Sequence, residues 1–368
     1  MNEKKRAVIA FLGNYYFDTR CFNLYNSLQK SNIEVKVISF DWLKNDLTSA
    51  SEAIRIHRLN KSKSSILFYL KFFFILTKEL IKNPANYYFA EDVYTLPIVS
   101  IIAKLNRAKV YYDSRELFDN LAGLASRRMI QRILSFTERT FISFADYVVV
   151  TGEMDAEYLK KKYKLNNILC VRNLPLLKTN LQKLDLVEKF NLSKDRKTLL
   201  YQGVVLKGRG LPQIIEFVAK SEEYNLLILG DGEFIHELKS LAKKQNLGNK
   251  VIFAGRVSQS ELMNITHSVD VGLALIENLS LSYFYALPNK LFEYIMAEVP
   301  VIVSDLPQMK KIVNKYNVGS VCKELTVSEI QTGLEEIFND YQKFKSNTLK
   351  AKQELHWDIE VATLLTTL

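Results

Sequence analysis

Cysteine is scarce: Cys21, Cys170 and Cys322 stand far apart, with no C-x-x-C spacing. This excludes a disulfide framework and a cysteine-based zinc cluster, and it suits a reducing compartment. Histidine is equally thin, and His57, His236, His267 and His356 show no H-E-x-x-H or paired spacing. A metal hydrolase is therefore a poor reading, and no metal site is expected. With 13 glycines and 7 prolines in 368 residues, collagen-like, mucin-like and largely disordered chains are excluded. Long apolar runs are also missing. The greasiest stretch, Ser64 to Ile81, is interrupted by Lys71, Lys78 and Glu79, which leaves too little length to cross a bilayer. The opening MNEKKR followed by AVIAFLG lacks the form of a secretory leader and reads as a first buried strand, so a cytoplasmic location is expected.

What is present is an ordinary globular composition, 48% hydrophobic and 24% charged, long enough for about two domains at roughly 150 residues each. Fifty Lys plus Arg against 40 Asp plus Glu give a formal charge of +10. The excess favours anionic partners: nucleic acid, an anionic membrane face or a phosphorylated small molecule. No nucleic-acid module is recognisable, so nucleic acid is not an expected partner.

RAVIAFLG, a loop at Gly13 to Asp18, a helical run from Thr19 and then VKVISF form one β-loop-α-β unit. The plan recurs at YYFAED, AKVYYDS, DYVVVTG and ILCVRN, which predicts a mostly parallel sheet covered on both faces. After a polar stretch near 175–195, a second series runs through TLLYQGVV, NLLILGDG, KVIFAGRV, DVGLALI, PVIVSD and VGSVC. The fold class is α/β, with two Rossmann-like domains and the ligand site expected in the cleft where their strand ends face each other. The domains are placed at 1–185 and 186–345. A helical segment at 346–368, containing Trp357, must pack on one of them, and the first is the expectation.

Three loops carry candidate chemistry. Gly203 to Gly210, GVVLKGRG, lies between a strand and a helix; its glycines allow close backbone approach, and Lys207 and Arg209 add positive charge. It is either a phosphate site or a basic, solvent-facing turn. In the Gly230-Asp231-Gly232 turn, Asp231 is suited to capping the next helix or to lying near a ligand. In ALPNKLFEY, Pro288 and Asn289 are suited to starting a helix whose first N–H groups would meet a phosphate. Lys290 and Glu293 share a face there, so Glu293 either pairs with Lys290 or accepts hydrogen bonds from vicinal hydroxyls.

The run YQG…KGRGL, LLILGDGE, KVIFAGRVSQSEL, DVGLAL and ALPNKLFEYIMAEVPVIVSD, spanning roughly 199–322, resembles the second domain of family 4 glycosyltransferases of the GT-B fold. The first half resembles them more loosely, at Gly13, YYFAEDVYTLP, VYYDSRELFD and ADYVVVTGEM. The resemblance implies a retaining transfer of sugar from a nucleotide-sugar, uridine diphosphate being the expected carrier, without a required divalent metal. It implies that Glu293 holds the ribose and that Arg209, with Lys207 as auxiliary, faces the diphosphate. The backbone from Leu287 through Pro288, Asn289 and Lys290, together with Gly203 and Asp231, would approach phosphates or sugar, and Gly13 would mark the acceptor-side loop.

Two departures stand out. Tyr285 occupies the position eight before Glu293 where the family carries a second Glu, and Val204 replaces a basic residue after the first-strand glycine. In the first domain Arg115, within Asp113-Ser114-Arg115-Glu116, is a candidate for contact with phosphate or an acidic acceptor; Asp92 has a comparable role or simply caps a loop. The implied acceptor is a bacterial surface polysaccharide or a lipid-linked saccharide. The alternative is a noncatalytic nucleotide-sugar or glycan-binding partner, motivated by Tyr285.

The region Lys61 to Lys82 interleaves Lys61, Lys63, Lys71, Lys78 and Lys82 with aromatic and aliphatic residues, and Arg127, Arg128, Arg132 and Arg139 form a second basic set. Either these are core-packing helices with charged edges, or the first domain attaches peripherally to the inner face of the cell membrane.

Overall fold

Runs of β-branched and aromatic residues that end at glycine or at a charge become short buried strands, and the amphipathic segments between them become crossover helices. The computed structural model describes residues 4–42, 51–60, 64–120 and 127–368. Lys61 and Lys63 lie outside the described residues. The chain divides into two compact units, Met1–Asn173 with Glu360–Leu368, and Leu174–Ile359. The boundary expected at 185/186 falls inside the second unit, and of the segment 346–368 only its last residues belong to the first.

The first unit holds β1 (Arg6–Phe11), α1 (Thr19–Lys30), β2 (Glu34–Asp41), β3 (Ile54–Arg58), α2 (Ser65–Lys82), β4 (Tyr87–Ala90) and α3 (Leu96–Leu105). It continues with β5 (Lys109–Ser114), α4 (Arg128–Phe141), β6 (Tyr147–Val150), α5 (Glu153–Tyr163) and β7 (Ile168–Cys170). The sheet is ordered β3-β2-β1-β4-β5-β6-β7, and every pairing is parallel. The connection from β1 moves one way along the sheet, whereas those through α2, α3, α4 and α5 move the other. Right-handed crossovers therefore put α1 on one face and α2 to α5 on the opposite one. Residues 360–368 tie into this unit. Glu360 takes Arg172 in a two-pronged pair at 2.6 and 2.9 Å, and the Thr367 carbonyl accepts from Lys109 at 2.8 Å and from the Tyr111 hydroxyl at 3.0 Å.

The second unit contains α6 (Leu186–Phe190), β8 (Lys197–Gln202), α7 (Leu211–Lys220), β9 (Tyr224–Leu229), α8 (Ile235–Lys244), β10 (Val251–Gly255) and α9 (Gln259–His267). Beyond these come β11 (Val271–Ala274), α10 (Leu281–Phe284), α11 (Asn289–Met296), β12 (Val301–Ser304), α12 (Pro307–Tyr316), β13 (Gly319–Cys322), α13 (Val327–Asn339) and α14 (Tyr341–Ala351). Its parallel sheet is ordered β10-β9-β8-β11-β12-β13. Alternate strand residues enter separate cores: Leu200, Val301 and Val303 on one side, Leu199, Tyr201 and Ile302 on the other. Both faces are thus buried, as a parallel sheet requires. Each sheet reverses direction beside its first strand, between β1 and β4 and between β8 and β11, where open α/β sheets hold ligands at the carboxyl ends of their strands.

Candidate functional site

In the second unit the candidate residues collect around the end of β8. Gly203 (φ 121°) and Gly230 (φ 134°) adopt backbone that a side chain disfavours. A Cβ on Gly230 would lie 1.9 Å from the Gly203 carbonyl oxygen. The two loops are laced together by Gly203 N–H to the Leu229 carbonyl at 2.9 Å and Val205 N–H to the Asp231 carbonyl at 3.0 Å. The Asp231 carboxylate accepts from the next N–H, that of Gly232, at 2.8 Å. Helix α8 begins at Ile235 with Phe234 as its N-cap, so Asp231 does not cap it; the intervening turn carries the helix start past its reach.

Helix α11 begins at Asn289, with Pro288 as an N-cap that offers no side-chain bond. Its first N–H groups lack helical acceptors and face outward from the turn, while Leu287 packs against the core. The Lys290 ammonium lies 3.5 Å from the centre of the Tyr201 ring, and it covers Gly203, whose added Cβ would meet Lys290 Nζ at 3.5 Å. The Arg209 guanidinium sits 4.7 Å over the Tyr283 ring. Neither cation forms an ion pair among the described residues. Burial, followed by repulsion from Arg209, holds the Lys290 ammonium well below the ordinary lysine range, and Glu293 offsets this only in part.

Glu293 does not pair with Lys290. Its Oε2 accepts a short hydrogen bond from Gln202 Nε2, and Gln202 Oε1 in turn accepts from the Thr266 hydroxyl at 2.8 Å, which fixes the amide's orientation. Burial raises the Glu293 pKa, while Gln202 and Lys290 pull it back. Lys207 stands apart: it is exposed, with its ammonium 5.5 Å over Phe234. The side chains of Arg209, Lys290 and Glu293 are thus brought together, with Lys290 beside Gly203. Tyr201, Gln202, Thr266 and Tyr283 complete the group and were not signalled by any spacing, since each is ordinary strand, helix or loop sequence.

In the first unit, Gly13 and Arg115 both border Phe11. A Cβ on Gly13 would meet the ring at 2.9 Å, and the Arg115 guanidinium lies 5.9 Å from its centre. Arg115 is held by short contacts to Asp18 and Glu91 and lies 3.6 Å from Asp113. Asp113 is bound in turn by Arg20 at 2.5 Å. Asp92 accepts from Leu12 N–H at 2.5 Å and Thr95 N–H at 2.7 Å, which is loop capping. Burial raises the Glu91 pKa despite the opposing pull of Arg115. Asp18 goes the other way: burial pushes it up, but Arg115 and the Cys21 N–H outweigh this and hold it low. Asp18 and Glu91 were missed in the sequence because each looks like any acidic residue at a strand or helix end.

No three His, Cys, Asp or Glu side chains gather as a metal-ligand group among the described residues. The family model for glycosyl transferases group 1 matches residues 182–354. Those residues form a glycosyl transferases group 1 domain. The chain is 23% identical over 342 residues to an uncharacterized glycosyltransferase of Haemophilus influenzae, covering 90% of this chain and 88% of the relative. Sucrose-phosphate synthase of Thermosynechococcus elongatus superposes with a TM-score of 0.76 at 15% identity, covering 99% and 98% of the two chains. Anabaena HepE in complex with UDP-glucose gives 0.72 at 14% identity, covering 99% and 100%. The fold of the chain is GT-B, with two Rossmann-like units.

Proposed function

We propose that the chain moves a sugar, with retention of anomeric configuration, from a nucleotide-sugar to a surface-polysaccharide or lipid-linked acceptor. The observation that supports this most directly is the crowding of Arg209 and Lys290, two cations without ion-pair partners among the described residues, beside the start of α11. Like charges held close and partly desolvated are costly until an anion enters. A diphosphate would relieve their repulsion and favour the charged form of Lys290. As the sugar leaves, negative charge grows on the leaving phosphate oxygen, and Arg209, Lys290 and the α11 N–H groups stabilise it most in the transition state. Lys207 is a second-rank contributor that must leave Phe234 to take part. Glu293, poised with Gln202, accepts the ribose hydroxyls, and a uridine nucleotide is the carrier favoured by the HepE likeness. Gly203 and Asp231 shape the floor of the donor site. Gly13 and Arg115 belong to the acceptor side, where Arg115 orders Asp18 and Glu91 around the incoming hydroxyl. Peripheral attachment to the inner face of the membrane completes the reading.

A ligand-detected binding screen against UDP-, GDP-, ADP-, CMP- and dTDP-sugars tests the donor. Selective saturable binding that Arg209→Ala weakens by about tenfold or more is the expected outcome. Normal diphosphate affinity and turnover in that variant would remove Arg209 from the mechanism. The anomeric configuration of the first-formed product, read by NMR, tests retention.

A further inference from the structure

The three helices that lie side by side on one face of the first sheet, α2, α3 and α4, sort their charges completely. Helix α3 packs against both α2 and α4. Every lysine and arginine in the three helices is exposed. Their two carboxylates are turned inward. Glu79 of α2 is 6% exposed and pairs with Arg55 at 3.0 Å. Glu138 of α4 is 1% exposed and accepts the Tyr112 and Tyr163 hydroxyls, both at 2.7 Å.

Large apolar side chains project between the outward cations. Leu70 and Phe74 of α2, Leu105 of α3, and Met129, Ile133 and Phe136 of α4 are each more than half exposed. On α2, Leu67, Leu70, Lys71, Phe74, Lys78 and Ile81 follow a three-and-four spacing that defines one stripe. On α4, Met129, Arg132, Ile133 and Phe136 do the same. Both helices have buried faces of their own, through Phe72, Leu76 and Leu80 on α2 and Leu134 on α4, so the outward stripes are additional to what the core uses.

We propose that the outer face of α2, α3 and α4 docks on an anionic lipid bilayer. Projecting leucine, phenylalanine and methionine enter the boundary between headgroups and acyl chains, and the surrounding lysines and arginines meet lipid phosphates. A second copy of the chain fits less well. A two-fold contact through this face would set one carboxylate-free cationic surface against an identical one. The inference names the surface for the membrane attachment read above and does not depend on the donor or on the stereochemistry of transfer.

The test is flotation of the full chain with phosphatidylcholine vesicles, with and without phosphatidylglycerol. The wild type should bind the anionic vesicles, and added salt should weaken binding. Phe74→Ser with Phe136→Ser should abolish it, while Lys71→Glu with Arg132→Glu should reduce it by about tenfold or more. All four positions are exposed, and unchanged thermal unfolding and nucleotide binding would confirm that the variants are folded. Equal binding to neutral and anionic vesicles, or no binding, would overturn the proposal. So would a dimer that these substitutions dissolve, which would make the face an interface between copies. Absence of nucleotide binding in the wild type with vesicle binding intact would instead count against the donor reading alone.

Discussion

Glu91, buried, and Glu293, half-buried, are carboxylates with opposite neighbourhoods. Glu91 sits among Arg115, Asp113 and Cys21, and its pKa rises from the ordinary glutamate value of 4.5 to about 7. The folded chain then holds a proton there that the unfolded chain has released between these values. The stability contributed by the protonated group is complete below about pH 4.5 and is lost as pH rises through about 7. Glu91→Gln should flatten that part of the stability profile, as read by melting temperature across this range, whereas an unchanged slope would assign it elsewhere. Glu293 contacts a neutral amide and lies near Lys290. Glu293→Gln should weaken uridine nucleotide binding by about 1.5 kcal/mol, roughly tenfold, through loss of charge-assisted bonds to the ribose, and calorimetry measures this. The sequence placed Glu293 on one helix face with Lys290, but it offered no means of seeing Gln202. Those two residues are adjacent only because β8 ends beside the crossover that carries α11.

At the scale of elements, most strands were legible because each is a short β-rich run ended by glycine or charge. Strand β3, IRIHR, was not: it lies at the edge of the sheet, where charged residues are tolerated, and its pairing with β2 supplies what its composition does not. The expected cap of α8 failed for a similarly local reason, since a three-residue turn is invisible to a motif read by residue type. The Gly203 and Gly230 loops are rigid by construction, each approaching the other backbone to backbone. Gly230→Ala adds a carbon into the Gly203 carbonyl at a left-handed φ, and it should destabilise the second unit by about 2 kcal/mol or more in urea unfolding. Gly248 serves as the control, because a Cβ there meets nothing within 4 Å, although its positive φ still carries a smaller cost.

For the whole molecule, the two α/β units were readable from the recurrence of strand and helix, but the path of the last residues was not. Trp357 is anchored in the second unit by its backbone N–H to the Pro175 carbonyl at 2.9 Å, while Glu360, three residues on, belongs to the first. Glu360→Ala removes the two-pronged carboxylate contact to Arg172 and should lower the melting of the first unit. The expected loss is about 1–3 kcal/mol, because the pair is largely buried; calorimetry resolving the two units would register it. The same feature sets an order of events during synthesis. The strands of the first unit leave the ribosome long before Glu360 is made, so the Arg172–Glu360 pair closes only after the second unit has emerged. The first unit is therefore completed after the second, although its strands come first.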